Sequence, residues 1–290
     1  MEEENKMKKC IKCNAESPKE AKLCRTCGGN EFADAEAEAT LAIEQLHAAL
    51  TKAIAEEGDA EAQKRMGDMF CLGQGVDKDY EKALSWYQKA AGQGYVKAQY
   101  RLGYMYYNGE GVRKDYIEAA SWYQKAAVQG DIGAQYTLGN MYYVGEGIAK
   151  NYAKAASWHQ KAAEQGNVDS QFTLGYMYHN GEGVAKDYAK AECWYQKAAE
   201  QGDIESHVKL WNIYFESEDY SKMASWCQKA AEQGDARSQY FFGAMYYNGF
   251  GIDKNYAEAA SWYQKAAEQG HTKAQNALGD MYLKGEVHGL

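Results

Sequence analysis

Residues 99–130, "QYRLGYMYYNGEGVRKDYIEAASWYQKAAVQG", decide the fold. Ala98, Leu102, Met105 and Tyr106 recur at i, i+4, i+7 and i+8, the stripe of an amphipathic helix. "NGEGV" breaks that helix, because its glycines admit positive φ. A second helix is predicted to open near Asp115 and to carry Ala119, Trp122 and Ala126 on one side. It should stop at Gly130, as a glycine just past a helix end does. The stretch therefore reads as an antiparallel helix pair.

The same text recurs along the chain. Tryptophans fall at Trp86, Trp122, Trp158, Trp194, Trp226 and Trp262, spaced by 36, 36, 36, 32 and 36 residues, each within a version of "SWYQKAAEQG". A fixed period of this size signals a solenoid, in which each unit buries its apolar face only against its neighbours. Gly67, Gly103, Gly139, Gly175, Gly243 and Gly279 each follow Leu or a substitute for it. A mid-helix glycine costs about 1 kcal/mol relative to alanine. Its repetition implies that another helix, or the Trp ring, lies close against that spot. The repeated Trp then reads as core, with Trp122→Ala costing about 3–5 kcal/mol. In residues 202–233 the inter-helix loop is four residues shorter and Trp211 takes the glycine position, so the helices there must part or the short loop must accommodate the ring.

At these residues the chain resembles the Sel1-like repeat family, relatives of the tetratricopeptide repeats. The family pattern runs roughly A-x3-L-G-x2-Y-x2-G-x-G-V-x2-D-x3-A-x2-W-x3-A-x2-G. Here Ala98, Leu102, Gly103, Tyr106, Gly109, Gly111, Val112, Asp115, Ala119, Trp122, Ala126 and Gly130 supply it. The resemblance covers residues 58–290 and implies an all-α fold, an α/α superhelical solenoid of six helix pairs and a terminal half repeat, acting as a protein-interaction scaffold. It further implies that first-helix positions line an inner, concave groove. Those positions are Tyr100, Tyr104 and Tyr107, then Tyr136, Asn140 and Tyr143, then Phe172, Tyr176 and His179, then Val208, Asn212 and Phe215, and then Tyr240, Ala244 and Tyr247. Tyrosine offers large contact area at low entropic cost with one hydrogen-bonding tip, as binding hot spots do. The alternative is that rings of the Tyr100 type pack between repeats. Asn108, Asn180 and Asn248 either read a partner's backbone or cap the turn. Tyr106 and its counterparts share the Leu102 stripe and are assigned to the core.

The N-terminal region differs. "CIKCNAESPKEAKLCRTCGG" spaces Cys10, Cys13, Cys24 and Cys27 as C-x2-C-x10-C-x2-C, a pattern able to hold a structural Zn2+ tetrahedrally through four thiolates. It looks like a short bacterial zinc ribbon over residues 1–30, stabilised by the metal because so short a segment buries too little surface. The usual knuckle prolines are replaced by Ile11 and Arg25. A redox-responsive or nucleic-acid-associated regulator is the competing reading, since residues 6–30 carry a net charge of +5. Against nucleic acid stand the absence of any aromatic residue before Phe32 and the net charge of −9 for the whole chain. Residues 31–57, rich in Ala and Glu, read as a linking helix that caps the first repeat with Leu41, Leu46, Leu50 and Ile54 on its apolar side. At the far end, the face around Leu278 and Tyr282 is expected to lack a partner and to fray or dimerise.

No nucleophile elbow, phosphate-binding loop or zinc-protease motif occurs, and the six histidines fall in unrelated registers. Catalytic residues are therefore not expected. Secreted cysteine-rich members of the resembled family are linked to β-lactam or cell-wall binding, but the paired cysteines of that branch are missing here. No apolar run is long enough to span a bilayer, and "MEEENKMKKCIKCN" lacks the apolar core of a leader. With scattered Cys71, Cys193 and Cys227, these features predict a bacterial cytoplasmic adaptor whose partners are proteins, bound through a peptide segment or helix.

Overall fold

The computed structural model describes residues 7–10, 16–18, 32–33 and 35–287, with side chains from residue 39 onward. Three short strands, β1 (Met7–Cys10), β2 (Glu16–Pro18) and β3 (Phe32–Ala33), pair antiparallel in the order β2-β1-β3. Cys13, Cys24 and Cys27 lie outside the described residues, and Cys10 ends β1. A 22-residue helix, α1 (Ala35–Glu56), follows. The rest are helix pairs: α2 (Ala60–Leu72) with α3 (Tyr80–Gly92), α4 (Val96–Asn108) with α5 (Tyr116–Val128), α6 (Ile132–Val144) with α7 (Tyr152–Glu164), and α8 (Val168–Asn180) with α9 (Tyr188–Glu200). Then come α10 (Ile204–Glu216) with α11 (Tyr220–Glu232), α12 (Ala236–Asn248) with α13 (Tyr256–Glu268), and α14 (Thr272–Leu283). The chain divides into two compact units, residues 1–131 and 132–290.

Local chemistry sets each boundary. Asp115 caps α5, its carboxylate accepting from the Ile117 and Glu118 amides at 2.9 and 3.1 Å. Gly109 ends α4 in the left-handed region at φ 78°, its amide donating to Met105. The second loop glycine has a different task. A Cβ on Gly111 would stand 2.6 Å from Tyr80 Cβ, so the loop can lie on the start of the preceding second helix only without a side chain.

The helix pair is closed by a ring, and that ring is the tyrosine after the tryptophan. A Cβ built on Gly103 would meet the Tyr123 ring at 2.7 Å; Gly175 meets Tyr195 and Gly243 meets Tyr263, each at 2.8 Å, and Gly139 meets His159 at 2.9 Å. Of the two alternatives read from the sequence, the other helix lies against the glycine, and it does so through this ring rather than the Trp ring. Tyr87, Tyr123 and Tyr195 are all but fully buried, whereas Tyr106, assigned to the core, is only half-buried. Trp122 is half-buried too, with Lys125 Nζ 3.7 Å from its ring centroid.

Polar groups buried beside the notch form a ladder. Gln129 Nε2 donates to Gln99 Oε1 at 2.8 Å, and Gln99 Nε2 to the Ala91 carbonyl at 3.4 Å, tying a first helix to its own second helix and to the preceding one. Gln93–Gln63, Gln165–Gln135, Gln201–Gln171 and Gln269–Gln239 repeat the rung at 2.8 Å.

The α10–α11 pair departs from this plan. Trp211 replaces the glycine, and Cys227 replaces the ring residue, so large and small exchange helices. The short loop places Glu218 at φ 57°, the one described non-glycine residue with positive φ. His207 takes the glutamine position, and neither ring nitrogen closes a hydrogen bond.

Two expectations about the outer helices also change. On α1 the residues buried against α2 are Ala48, Thr51 and Ala55, whereas Leu41, Leu46, Leu50 and Ile54 are exposed. On α14 Leu278 is buried with Ala274 and Met281, and the open residues are Tyr282 and Leu283. Small side chains allow close helix approach, so α1 docks through its alanines and leaves its bulk outside.

Removing the notch ring should matter more than removing the half-exposed indole. Tyr123→Ala is expected to cost about 3–5 kcal/mol in urea unfolding and Trp122→Ala clearly less; the reverse order would contradict the assignment. Burial lowers the His159 pKa from 6.5 to about 4. The neutral ring therefore contributes full stability above about pH 6.5 and loses it as the pH falls toward 4. Acidification from about pH 7 to 4.5 should destabilise the wild type by about 2–3 kcal/mol more than His159→Tyr. Equal losses in both would remove His159 from the acid response.

Candidate functional site

The first helices carry the candidate residues because their other sides are spent on the notch and the glutamine ladder. Along α4, Tyr100 is half-buried, its ring centroid 5.6 Å from Tyr123. The same contact recurs for Tyr136 with His159 at 5.9 Å, Phe172 with Tyr195 at 5.7 Å and Tyr240 with Tyr263 at 5.6 Å. This register backs the notch ring, and burial raises the Tyr100 pKa.

The Tyr107 register is also half spent. Tyr107 meets Tyr116 edge-on at 5.1 Å, Tyr143 meets Tyr152 at 5.1 Å, His179 meets Tyr188 at 5.2 Å, and Tyr247 meets Tyr256 at 5.3 Å. The Tyr143 hydroxyl donates to Glu182 at 2.6 Å, and Tyr247 donates to Glu286 at 3.1 Å. These tips reach the acidic residue of the next repeat's loop, so they stitch repeats together. Burial and the Glu182 carboxylate both raise the Tyr143 pKa.

The Tyr104 register is the free one. Tyr104 is 38% exposed, and its hydroxyl makes no hydrogen bond among the described residues. Asn140 and Tyr176 occupy the same position on α6 and α8, both half-buried. Lys209 stands 5.9 Å from the Tyr176 centroid. Asn108, Asn180 and Asn248 donate to the carbonyls of Tyr104, Tyr176 and Ala244 at 3.0, 3.1 and 2.8 Å, spending one amide hydrogen on the helix end.

Charge varies from repeat to repeat along these helices. In residues 1–131 the face carries Lys64, Asp68 and Arg101; Asp68 accepts from the Tyr87 hydroxyl at 2.7 Å and lies 3.8 Å from Arg101. A cleft of about 240 Å3 opens there, lined in part by Asp68, Cys71, Lys78, Arg101, Tyr104 and Glu110. Cys71 is half-buried and its pKa is raised, chiefly by burial, so it is a poor nucleophile. In residues 132–290 the α6 and α8 positions Tyr136, Asn140, Tyr143, Tyr176 and His179 carry no formal charge. Cys227 is buried, its pKa pushed up to about 12 by desolvation. No cluster of three metal-ligating side chains and no helix long and apolar enough to cross a membrane occurs among the described residues.

Sequence reasoning missed two things here. The residue after the tryptophan supplies the notch ring (Tyr87, Tyr123, His159, Tyr195 and Tyr263), a role signalled only by the paired departures Trp211 and Cys227. The loop glutamates that hold Tyr143 and Tyr247 lie 39 residues downstream, one repeat plus three, a pairing that shows only once successive repeats are stacked in space.

The comparisons agree with this architecture. The Sel1 repeat model matches residues 60–95, 96–131, 132–167, 168–203, 217–235, 236–271 and 272–290, omitting α10. Among solved structures, a protective antigen of uropathogenic Escherichia coli with an SLR fold is 38% identical at a TM-score of 0.74, over 83% of this chain and 52% of that one. The chain thus spans about half the length of that protein. A Sel1 repeat protein from Oxalobacter formigenes is 34% identical at a TM-score of 0.55, over 72% of this chain and 85% of that one. A search of curated proteins finds no match. The repeat matches and the helix pairs they span place the chain in the Sel1 repeat family.

Proposed function

We propose that this protein is a non-enzymatic adaptor that binds a peptide segment or helix of a protein partner on the face of its first helices. Sel1-repeat proteins typically mediate protein–protein interaction. The observation that carries the reading is the Tyr104 register, with Tyr104 exposed and Tyr176 half-buried. It offers aromatic area and unspent hydroxyls where the neighbouring registers are committed to packing and to loop glutamates. Tyrosine so placed contributes contact area with little rotamer loss. The uncharged α6–α8 stretch suits an apolar or backbone-reading contact. Asp68 and Arg101 suit a charged residue of the partner. Tyr143 and Tyr247 fix the face rather than contact the partner through their tips. Structural Zn2+ on Cys10, Cys13, Cys24 and Cys27 is part of the proposal, as a second docking element whose contribution would be avidity.

Affinity capture from the native host separates these roles. It uses wild type, Tyr104→Ala/Tyr176→Ala and a chain lacking residues 1–30, each shown to be helical by circular dichroism. The reading predicts partners retained about tenfold less by the double variant, as loss of hot-spot contacts would give. Partners kept by that variant but lost with residues 1–30 would move recognition to the cysteine segment.

A further inference from the structure

Within residues 132–290, five rings from α10, α11, α12 and the loop after α12 form a continuous file. Phe241 lies 4.7 Å from Trp211, Trp211 stacks on Phe215 at 5.3 Å, Phe215 meets Tyr220 at 6.3 Å, and Tyr220 stacks on Phe250 at 5.5 Å. Four of these five stand where other repeats place something smaller or more polar. Trp211 has the position of Gly103, and Phe241 that of Arg101, Thr137, Thr173 and Lys209. Phe215 has the position of Tyr107, Tyr143 and Tyr247, and Phe250 that of the loop residues Glu110, Glu146, Glu182 and Glu286.

The last two replacements belong together. Tyr143 and Tyr247 each donate to a loop glutamate 39 residues on. Phe215 and Phe250 are 35 residues apart, which is 39 less the four missing from the α10–α11 loop, so the hydroxyl and the carboxylate have gone as a pair. The rings that replace them are not spent on folding, since Phe215 is 46% exposed and Phe250 42%. Joined through Tyr220 and backed by Trp211, they make an apolar patch rather than scattered surface residues, and such a patch marks an interaction site. The rim charge left over is acidic. Lys222 is engaged by Glu192 at 3.8 Å and Asp219 at 3.4 Å, while Lys209 and Lys254 lie 5.9 and 4.8 Å from the ring centroids of Tyr176 and Tyr256. Glu216 and Glu218, just after Phe215, are exposed and form no salt bridge among the described residues.

We propose that this file of rings docks a partner-protein segment in which a large apolar side chain sits beside a lysine or arginine. The apolar side chain covers Phe215 and Phe250 and takes their area out of water. The neighbouring cation is drawn to the negative face of a ring and to the Glu216 and Glu218 carboxylates. An acidic segment would meet like charge at the same rim. Aromatic anchors of this kind are enriched at the centres of protein interfaces. The inference rests on the adaptor reading and names the chemistry of the segment bound; its anchor is separate from Tyr104 and Tyr176.

Selection of random short peptides displayed on phage against the full chain tests this. Clones with a large apolar side chain next to Lys or Arg should be enriched about tenfold over the unselected library. Phe215→Ser/Phe250→Ser and Glu216→Lys/Glu218→Lys alter exposed positions, so both variants should keep wild-type circular dichroism. The first should lose the enrichment. The second keeps the rings and should exchange basic for acidic residues in the enriched clones, a change that a role in folding alone would not produce. Absence of enrichment on wild type would overturn the proposal. So would the same clones on the serine variant, or flanking charges indifferent to the lysine variant. Clones lost with Tyr104→Ala/Tyr176→Ala but kept by the serine variant would also overturn it, while leaving the Tyr104 reading in place.

Discussion

The seating of one ring in one glycine notch, repeated along the chain, is the contact on which the rest depends. A glycine inside a helix is unfavourable by about 1 kcal/mol, and the chain accepts it repeatedly because the ring occupies the space a Cβ would fill. Tyr123 on Gly103, Tyr195 on Gly175 and Tyr263 on Gly243 set the separation of the paired helices. With that separation fixed, the glutamine rungs fall into range at 2.8 Å, and Gln99, Gln171 and Gln239 tie their helices to the preceding one through the carbonyls of Ala91, Ala163 and Ala231. Removing a rung leaves a buried polar group unmatched, as His207 shows.

The same constraint decides which residues are free for function. The notch takes one side of the first helix and the ladder another. The Tyr100 register is pressed against the ring, and Tyr143 and Tyr247 are held by Glu182 and Glu286. What remains outward is the Tyr104 register, and its residues change from repeat to repeat: Asp68, Tyr104, Asn140, Tyr176, Asn212, Ala244 and Asp280. Within each unit the repeated frame thus leaves one register free to vary.

Much of this was legible in the sequence. Period, loop glycines and capping aspartates located the helix pairs, because each acts within a few residues. Identity within the pair was harder to read. Trp122 and Tyr123 are adjacent, and periodicity cannot say which of two neighbouring rings points at a glycine on another helix. The exchange of Trp211 and Cys227 held that information, since only a residue facing the notch needs to shrink when the glycine grows. The apolar stripe of α1 misled for a related reason. Leu46, Leu50 and Ile54 mark a face made for burial, but whether a partner helix lies against it is a tertiary fact. The site was legible by register only; the downstream glutamates that restrain Tyr143 and Tyr247 were visible once the repeats were laid on one another in space.

A double-mutant cycle at the exchanged pair tests the central claim most directly. Trp211→Gly alone and Cys227→Tyr alone should each destabilise the chain in urea unfolding, the first by leaving a cavity and the second by crowding two large rings. Combined, they restore the glycine–tyrosine notch of the other repeats. The account predicts a coupling energy of about 1–3 kcal/mol that recovers most of the loss. Losses that simply add would contradict it, showing that ring and glycine do not share one space.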